Sequence, residues 1–375
     1  MNEITKNIII ILGTRPEAIK LAPVILELRK NCNFNVLVCN TEQQKELSNQ
    51  TLNYFGIQAN FNLDVMQQNQ TLSGVQTRIL NALSDVYLNN HFDATIVQGD
   101  TMTTFCGALS SFYNQVPVFH VEAGLRSSDL AEPFPEEALR QMISRITKLH
   151  FAPTQLAYKA LLKEGVAENQ ISLTGNTVID AVSCLSAETL AAAQIKLKNK
   201  NVVLSNKLVL ITAHRRENHG ERLDKIIEAI TELTIKFIDH QFVLPVHPNP
   251  NVHDKIYTAL KNIQNVILTN PLDYPELVCV MKHAKLILTD SGGIQEEAPS
   301  FGVPVLVLRY ETERVEAISA GFAKLVGADS DKIFKEASAV LLHDKSQTRL
   351  DASMNPFGDG FAAQKIANTI KLFWK

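Results

Sequence analysis

The chain has 375 residues, 45% of them hydrophobic and 20% charged, and its 36 Lys+Arg against 39 Asp+Glu give a formal net charge of −3. That balance excludes a basic nucleic-acid binder or a polybasic membrane-surface protein and describes a soluble globular chain. The length predicts two domains, on a norm of roughly 100–200 residues each.

The first element, NIIIIL, has an apolar run from Ile8 to Leu12, too short for a signal-peptide core or a membrane span. No later run approaches 18 apolar residues, so a cytoplasmic protein without membrane partners is expected. The five cysteines (Cys32, Cys39, Cys106, Cys184 and Cys279) form no C-x-x-C pair and are expected as reduced thiols. A helix is predicted near 17–30, followed by NVLVC (35–39) and a helix near 43–55. ATIVQGD then leads to a helix near 103–113, VPVFHVEAG to one from about 136 to 147, and KLHFAPT to one beginning near Gln155. Apolar runs that do not alternate, each followed by an amphipathic stretch, specify a buried parallel sheet covered on both faces.

Residues 174–206 break this rhythm as a loop, a helix and a lysine-rich connector. A second series follows: LVLITAHRREN, a helix near 221–238, QFVLPVHPNP, a helix near 252–261, NVILTNP, AKLILTDSGG and VPVLVLR. The expected fold is α/β, two Rossmann-like domains with parallel sheets, at 1–175 and 176–360. Ligands of open parallel sheets sit beyond the carboxyl ends of the strands. Polar clusters follow nearly every strand here, which predicts one cleft between two facing domains.

In TDSGGIQEEAPSFGVPVL (289–306), Ser291, Gly292 and Gly293 leave a strand and open a helix. The free N–H groups and aligned dipoles of such a start suit a phosphate, and Glu297 suits ribose hydroxyls. An ordinary strand-to-helix turn would use the same glycines. LGTRPEAIK (12–20) lacks the G-x-G-x-x-G fingerprint but offers Arg15 for forked pairing with a phosphate, and Lys20 one helical turn further on. Its alternative is a helix-capping loop. In VLRYETERVE, Arg309 and Arg314 would neutralise a diphosphate, with Glu311, Glu313 and Glu316 holding them, unless the stretch is a solvated charge run. His214 and Arg215 in TAHRREN, and His247 in VHPNP, stand at two more strand ends; a histidine there exchanges protons or donates to a leaving phosphate near neutral pH. The histidines show no metal-ligand spacing, and no catalytic metal or cofactor is expected.

Three carboxylates, Asp100, Glu122 and Glu136, follow strands of the first half. Carboxylates gathered in a partly desolvated cleft acquire separated pKa values and divide acid and base roles. The neighbouring Glu137 reads as a first-turn helix carboxylate favoured by the dipole.

These motifs resemble the bacterial non-hydrolysing UDP-N-acetylglucosamine 2-epimerases from end to end. GTRPEAIKLAPV, GDTMTT, HVEAGLRS, PFPEEALRQ, LHFAPT, TGNTVIDA, TAHRREN, PVHPNP, TDSGGIQEEAPS, TERVEA and NPFGDG occur in the family's order. The resemblance implies a two-domain fold of the GT-B glycosyltransferase type, with a C-terminal helix near 361–375 returning to the first domain, and a homodimer. It implies interconversion of UDP-GlcNAc and UDP-ManNAc through elimination of UDP, a bound 2-acetamidoglucal and re-addition. Asp100, Glu122 and Glu136 would form the acid/base set with His214 nearby. Arg15, Lys20, Ser291, Gly292, Gly293, Glu297 and Arg314 would contact the UDP-sugar. Gln43, Gln70, Arg215 and His247 would line a second site, where UDP-GlcNAc activates family members.

The chain departs from the family at TEQQKE (41–46), where many relatives have TGQH, and at VMQQNQT (65–71), which lacks a basic residue before Gln70. Weakened or altered activation is therefore expected. Leu277 stands where relatives often have phenylalanine near the uracil, and Leu139 where they often have asparagine. A hydrolysing 2-epimerase, a GT-B glycosyltransferase acting on a UDP-sugar and a nucleotide-sugar sensor without turnover are the competing readings.

Overall fold

The structure, a computed structural model, describes residues 5–67, 70–127 and 129–375. The chain divides into two compact units, one of residues 1–184 and 358–375, the other of residues 185–357.

The first unit opens with β1 (Lys6–Leu12), α1 (Arg15–Arg29), β2 (Phe34–Asn40), α2 (Lys45–Tyr54), β3 (Phe61–Asn62), α3 (Leu72–Asn89) and β4 (Ala94–Gln98). It continues with α4 (Met102–Tyr113), β5 (Val118–Val121), α5 (Glu136–Ile146), β6 (Thr147–Ala152), α6 (Gln155–Lys163), β7 (Ile171–Leu173) and α7 (Thr177–Ser183). Its seven strands, all parallel, lie in the order β3-β2-β1-β4-β5-β6-β7. Ile8 to Leu12 are wholly buried, as a central parallel strand requires. Ile9 and Ile11 pack with Ile79, Leu83, Cys106 and Ile143 of α3, α4 and α5, and the period of two turns Ile8 and Ile10 to the other face.

The second unit begins with α8 (Ala187–Asn199), β8 (Leu208–Thr212), α9 (Glu221–Lys236), β9 (Gln241–Pro245), α10 (Pro250–Leu260), β10 (Val266–Thr269) and α11 (Tyr274–His283). Then come β11 (Leu286–Thr289), α12 (Gly292–Glu297), β12 (Val305–Val307), α13 (Val315–Ser319), β13 (Ala323–Leu325), α14 (Ser330–Leu341) and α15 (Lys345–Thr348). Six parallel strands lie in the order β10-β9-β8-β11-β12-β13. Val209 and Ile211 of β8 share a core with Leu223, Ile226, Ile230 and Leu233 of α9 and Ile333 of α14.

The chain then returns to the first unit as α16 (Ala362–Phe373). Asp180 of α7 accepts from the N–H groups of Ala362 (3.2 Å) and Ala363 (2.9 Å), satisfying two of the orphan donors at the start of α16. At the other end, Phe373 meets Phe119 edge-on at 5.1 Å and Trp374 lies 5.8 Å from Phe34.

The stretch 174–206 differs from expectation. It holds two helices rather than one, each with its own cap, since Asn176 accepts from Val178 N and Ser186 from Thr189 N. The long helix α3 was not among the predicted elements, although Val75, Ile79, Leu83 and Val86 recur on its buried face at helical spacing. No single helix among the described residues is long and apolar enough to cross a membrane.

Candidate active site

Both units place their polar clusters in loops that leave the carboxyl ends of parallel strands. In the first unit the loop after β1 is built around Glu17. Thr14 caps α1 in a reciprocal capping box with this glutamate. Glu17 Oε2 also accepts from Gly13 N (3.0 Å), Thr14 N (2.8 Å) and Thr14 Oγ1 (2.7 Å), and its Oε1 from Thr101 (2.7 Å) and Thr104 (2.9 Å) at the start of α4. Burial pushes the Glu17 carboxyl above the ordinary range, against these donors. A side chain at Gly13 would lie 1.9 Å from Thr41 Oγ1, so glycine permits this packing. The capping loop expected as the alternative for LGTRPEAIK is thus present, and it ties the β1 and β4 loops together.

That scaffold carries Arg15 and Lys20. Arg15 is half-buried, with its N–H on Gln44 Oε1 at 3.0 Å. Lys20 Nζ lies 2.5 Å from Glu122 Oε1, and Gln98, at the end of β4, donates to Glu122 Oε2. Glu122 is 8% exposed and has φ +64°. A non-glycine residue in this region is uncommon and is characteristic of functional turns. Two residues earlier, on β5, His120 Nε2 donates to the Gly99 carbonyl at 2.7 Å, and burial pushes its imidazole down to about 4.

Asp100 pairs with Arg140 of α5 at 2.5 Å, and Arg140 also reaches Glu137 at 3.1 Å. Glu137 is wholly buried and accepts from Ser127 N (3.0 Å) and Gln141 Nε2 (2.8 Å). It stands in the first turn of α5, as expected, and is an anchor inside the fold. Glu136, half-buried at the first position of α5, has no hydrogen bond or ion pair among the described residues. Adjacent glutamates on one helix thus face different surroundings. Leu139, five per cent exposed, belongs to the core with Ile143.

Gln43 Oε1 accepts from Thr103 N (3.2 Å) and Thr103 Oγ1 (2.8 Å). Gln70 accepts from Arg78 of α3, whose Nε also bonds the Val65 carbonyl at 2.8 Å. Gln68 and Asn69, in the departing segment before Gln70, lie outside the described residues.

In the second unit the hub is Asp290, which the sequence did not single out. It is fully buried at the end of β11. Its Oδ2 accepts from His214 N (2.8 Å), Arg215 N (2.9 Å) and Asn218 Nδ2 (3.0 Å). His214 Nδ1 lies 3.3 Å from Asp290 Oδ1, and its ring stacks on that of His247 at 5.8 Å between centroids. The side chain of Arg215 is exposed. Ser291 donates its N–H to Thr289 Oγ1 at 3.0 Å before α12 begins at Gly292.

Arg314 lies against this start: a side chain at Gly292 would stand 3.1 Å from its guanidinium carbon. Glu296 of α12 holds Arg314 at 2.9 Å to Nε and 2.8 Å to Nη2. Gln295 accepts from Thr312 at 2.7 Å, which fastens the same loop. Glu297 is buried on this helix. The expected partition of VLRYETERVE needs correction. Arg309 is engaged by Glu217 (2.5 Å) and Glu313 (3.0 Å), so both of its edges are taken by protein. Of the three acids proposed as holders only Glu313 touches either arginine among the described residues; Glu296 comes from α12 and Glu217 from the segment after β8. These helpers, with Gln98 and Arg140, left no sequence signal beyond their places at strand ends or on helices. Among the described residues no group of three or more His, Cys, Asp or Glu is arranged to hold a metal ion.

The model of the UDP-N-acetylglucosamine 2-epimerase family matches residues 26–371. The UDP-N-acetylglucosamine 2-epimerase of Neisseria meningitidis serogroup A is 43% identical over 368 residues, 97% of this chain and 99% of the relative. That of Escherichia coli K12 is 41% identical over 369 residues, 97% and 98% of the two chains. The crystal structure of the UDP-GlcNAc 2-epimerase from Neisseria meningitidis bound to UDP-GlcNAc superposes with a TM-score of 0.88 at 42% identity, covering 98% of this chain and 100% of that one. A glycosyltransferase of kitacinnamycin, 14% identical with a TM-score of 0.62 over 97% and 99% of the chains, shares the fold alone.

Proposed function

The chain belongs to the UDP-N-acetylglucosamine 2-epimerase family, and from that premise we propose that it interconverts UDP-GlcNAc and UDP-ManNAc without releasing the free sugar. The C2 proton of the sugar is not adjacent to a carbonyl, so its direct removal is very unfavourable. Elimination solves this. A base takes the C2 proton, the C1–O bond breaks with its electron pair going to the diphosphate, and a C1=C2 double bond remains in 2-acetamidoglucal. A proton then returns to C2 on the opposite face, and a diphosphate oxygen re-adds at C1.

The observation that carries this reading is the pair of carboxylates fixed at neighbouring strand ends of the first unit: Glu122 between Lys20 and Gln98, and Asp100 on Arg140. Proton traffic on two faces of a planar carbon needs more than one such group. Glu136, half-buried beside this constellation in sequence and on the helix that supplies Arg140, is the third. The leaving diphosphate requires cationic and N–H stabilisation, which we assign to Arg15, Arg314, Ser291, Gly292 and Gly293, with His214 donating at the phosphates. Glu297 is assigned to the ribose. The product would feed cell-surface polysaccharide synthesis. We further propose that UDP-GlcNAc is a weaker or altered activator here, acting through Gln43, Gln70, Arg215 and His247. Gln43 is held by Thr103 and Gln70 by Arg78.

Incubating the protein with UDP-GlcNAc in D2O and following the sugar by NMR tests the reaction. The expected product is UDP-ManNAc carrying deuterium at C2. Free ManNAc with UDP would instead identify a hydrolysing enzyme, and an unchanged sugar without an acceptor would favour a glycosyltransferase.

A further inference from the structure

We infer that Asp290 is the positioning residue for His214, fixing the imidazole with its proton on Nδ1 and leaving Nε2 as the nitrogen that gains and loses a proton. β8 and β11 are adjacent strands with Thr212 opposite Thr289, so the loops carrying His214 and Asp290 leave the sheet side by side. The two threonines bond each other at 2.6 Å, which keeps the strand ends in register.

The carboxylate of Asp290 is asymmetric in its partners. Its Oδ2 has three donors, from His214 N, Arg215 N and Asn218 Nδ2. Its Oδ1 is buried without a hydrogen bond and faces Nδ1 of His214 at 3.3 Å. A wholly buried carboxylate oxygen is costly to leave without a donor, and the Nδ1–H is the donor within reach. Three anchors on the other oxygen prevent the carboxylate from turning away. A carboxylate that orients a histidine by its Nδ1–H is a recurrent arrangement wherever Nε2 does chemistry.

Burial holds His214 below the ordinary histidine range, Asp290 opposes that effect, and Arg215 and stacked His247 add to it. The ring is therefore neutral at rest, and the negative charge of a diphosphate favours proton gain at Nε2. Nε2 takes that proton from solvent as the diphosphate binds, giving an imidazolium paired with Asp290. When the C1–O bond breaks, the electron pair passes to a β-phosphate oxygen, and the Nε2–H donates to that oxygen until re-addition restores the bond. Asp290 also directly precedes Ser291, Gly292 and Gly293, so one carboxylate sets the histidine loop against the glycine loop.

This inference rests on the assignment of His214 to the reacting phosphates, and the test separates the two. Long-range proton–nitrogen NMR of the full chain labelled with 15N-histidine, with the His214 signals assigned through His214→Asn, reads the protonated nitrogen without turnover. A protonated Nδ1 and an unprotonated Nε2 are expected at pH 8; the reverse pattern overturns the inference. Asp290→Asn keeps an oxygen for the three donors but presents an amide N–H to Nδ1, so the ring should switch to a neutral Nε2–H form and lose the carboxylate charge that stabilises its imidazolium. Its kcat should fall on the order of 10²-fold with KM little changed. Wild-type turnover by Asp290→Asn would also overturn it, as would a fully active His214→Asn beside an inactive Asp290→Asn. If Asp290→Asn fails to fold, the protonation pattern of the native chain decides. Absence of epimerisation by the native chain would count against the proposed function and leave the NMR result to judge the dyad.

Discussion

Glu122 combines a left-handed backbone with a nearly buried carboxylate. Lys20 and Gln98 each take one oxygen. Glu122→Gln keeps the volume but removes one of the three carboxylates proposed to handle protons. Its kcat should fall about 10²–10⁴-fold, while circular dichroism and thermal unfolding stay close to the native protein; an active variant would remove Glu122 from the proton-handling set. His120 makes a different prediction. Burial lowers its imidazole to about 4 and that of its cross-strand neighbour His150 to about 3, against roughly 6.5 in the unfolded chain. Between those values the unfolded state binds more protons, so this contribution is complete above about pH 6.5 and is lost as pH falls toward 4. The slope is at most roughly 1.4 kcal/mol per pH unit for each ring. His120→Gln, which retains a donor for Gly99, should flatten the dependence of denaturant stability on pH between 4.5 and 6.5; an unaltered slope would contradict the assignment.

At the scale of elements, strands were easier to locate than their partners. IIIIL, TIVQ, VFHV, LVLIT and LILT read directly as buried parallel strands because each is mostly apolar without the alternation of a half-exposed strand. Helix α3 escaped notice because its polar face is rich in Ser, Thr, Gln and Asn, which hide the apolar period. The strand-end positions of Asp100, Glu122, His214 and Ser291 were legible for a general reason: loops at the carboxyl edge of a parallel sheet carry the chemistry. The side chains that hold them were not. Gln98 and Arg140 acquire their roles only when β4 meets β5 and α5 meets the β4 loop, and Asp290 only when β11 lies beside β8. The return of α16 is a contact of the same kind. Asp180→Ala should weaken the first unit by about 1–2 kcal/mol, as loss of a helix cap does. Amide exchange in 362–373 should rise; unchanged exchange there would show that the aromatic contacts of Phe373 and Trp374 suffice without the cap.

For the whole molecule, the proposed groups divide between the units. The first unit holds the carboxylates with Arg15 and Lys20, and the second holds the glycine loop, His214 and Arg314. The altered segments 41–46 and 65–71, where we propose that activation is weakened, belong to the first unit as well. Rates with UDP-ManNAc alone should be appreciable, and added UDP-GlcNAc should raise them only modestly; an absolute requirement for UDP-GlcNAc would contradict weakened activation. In the proposed reaction the bond between C1 and the diphosphate breaks and re-forms during epimerisation. UDP-GlcNAc labelled with 18O in the bridging position between C1 and the β-phosphorus tests it most directly. Phosphorus NMR of the recovered sugar nucleotides should show the label spread into non-bridging β-phosphate positions as UDP-ManNAc accumulates. Epimerisation with the label kept wholly in the bridge would contradict the elimination.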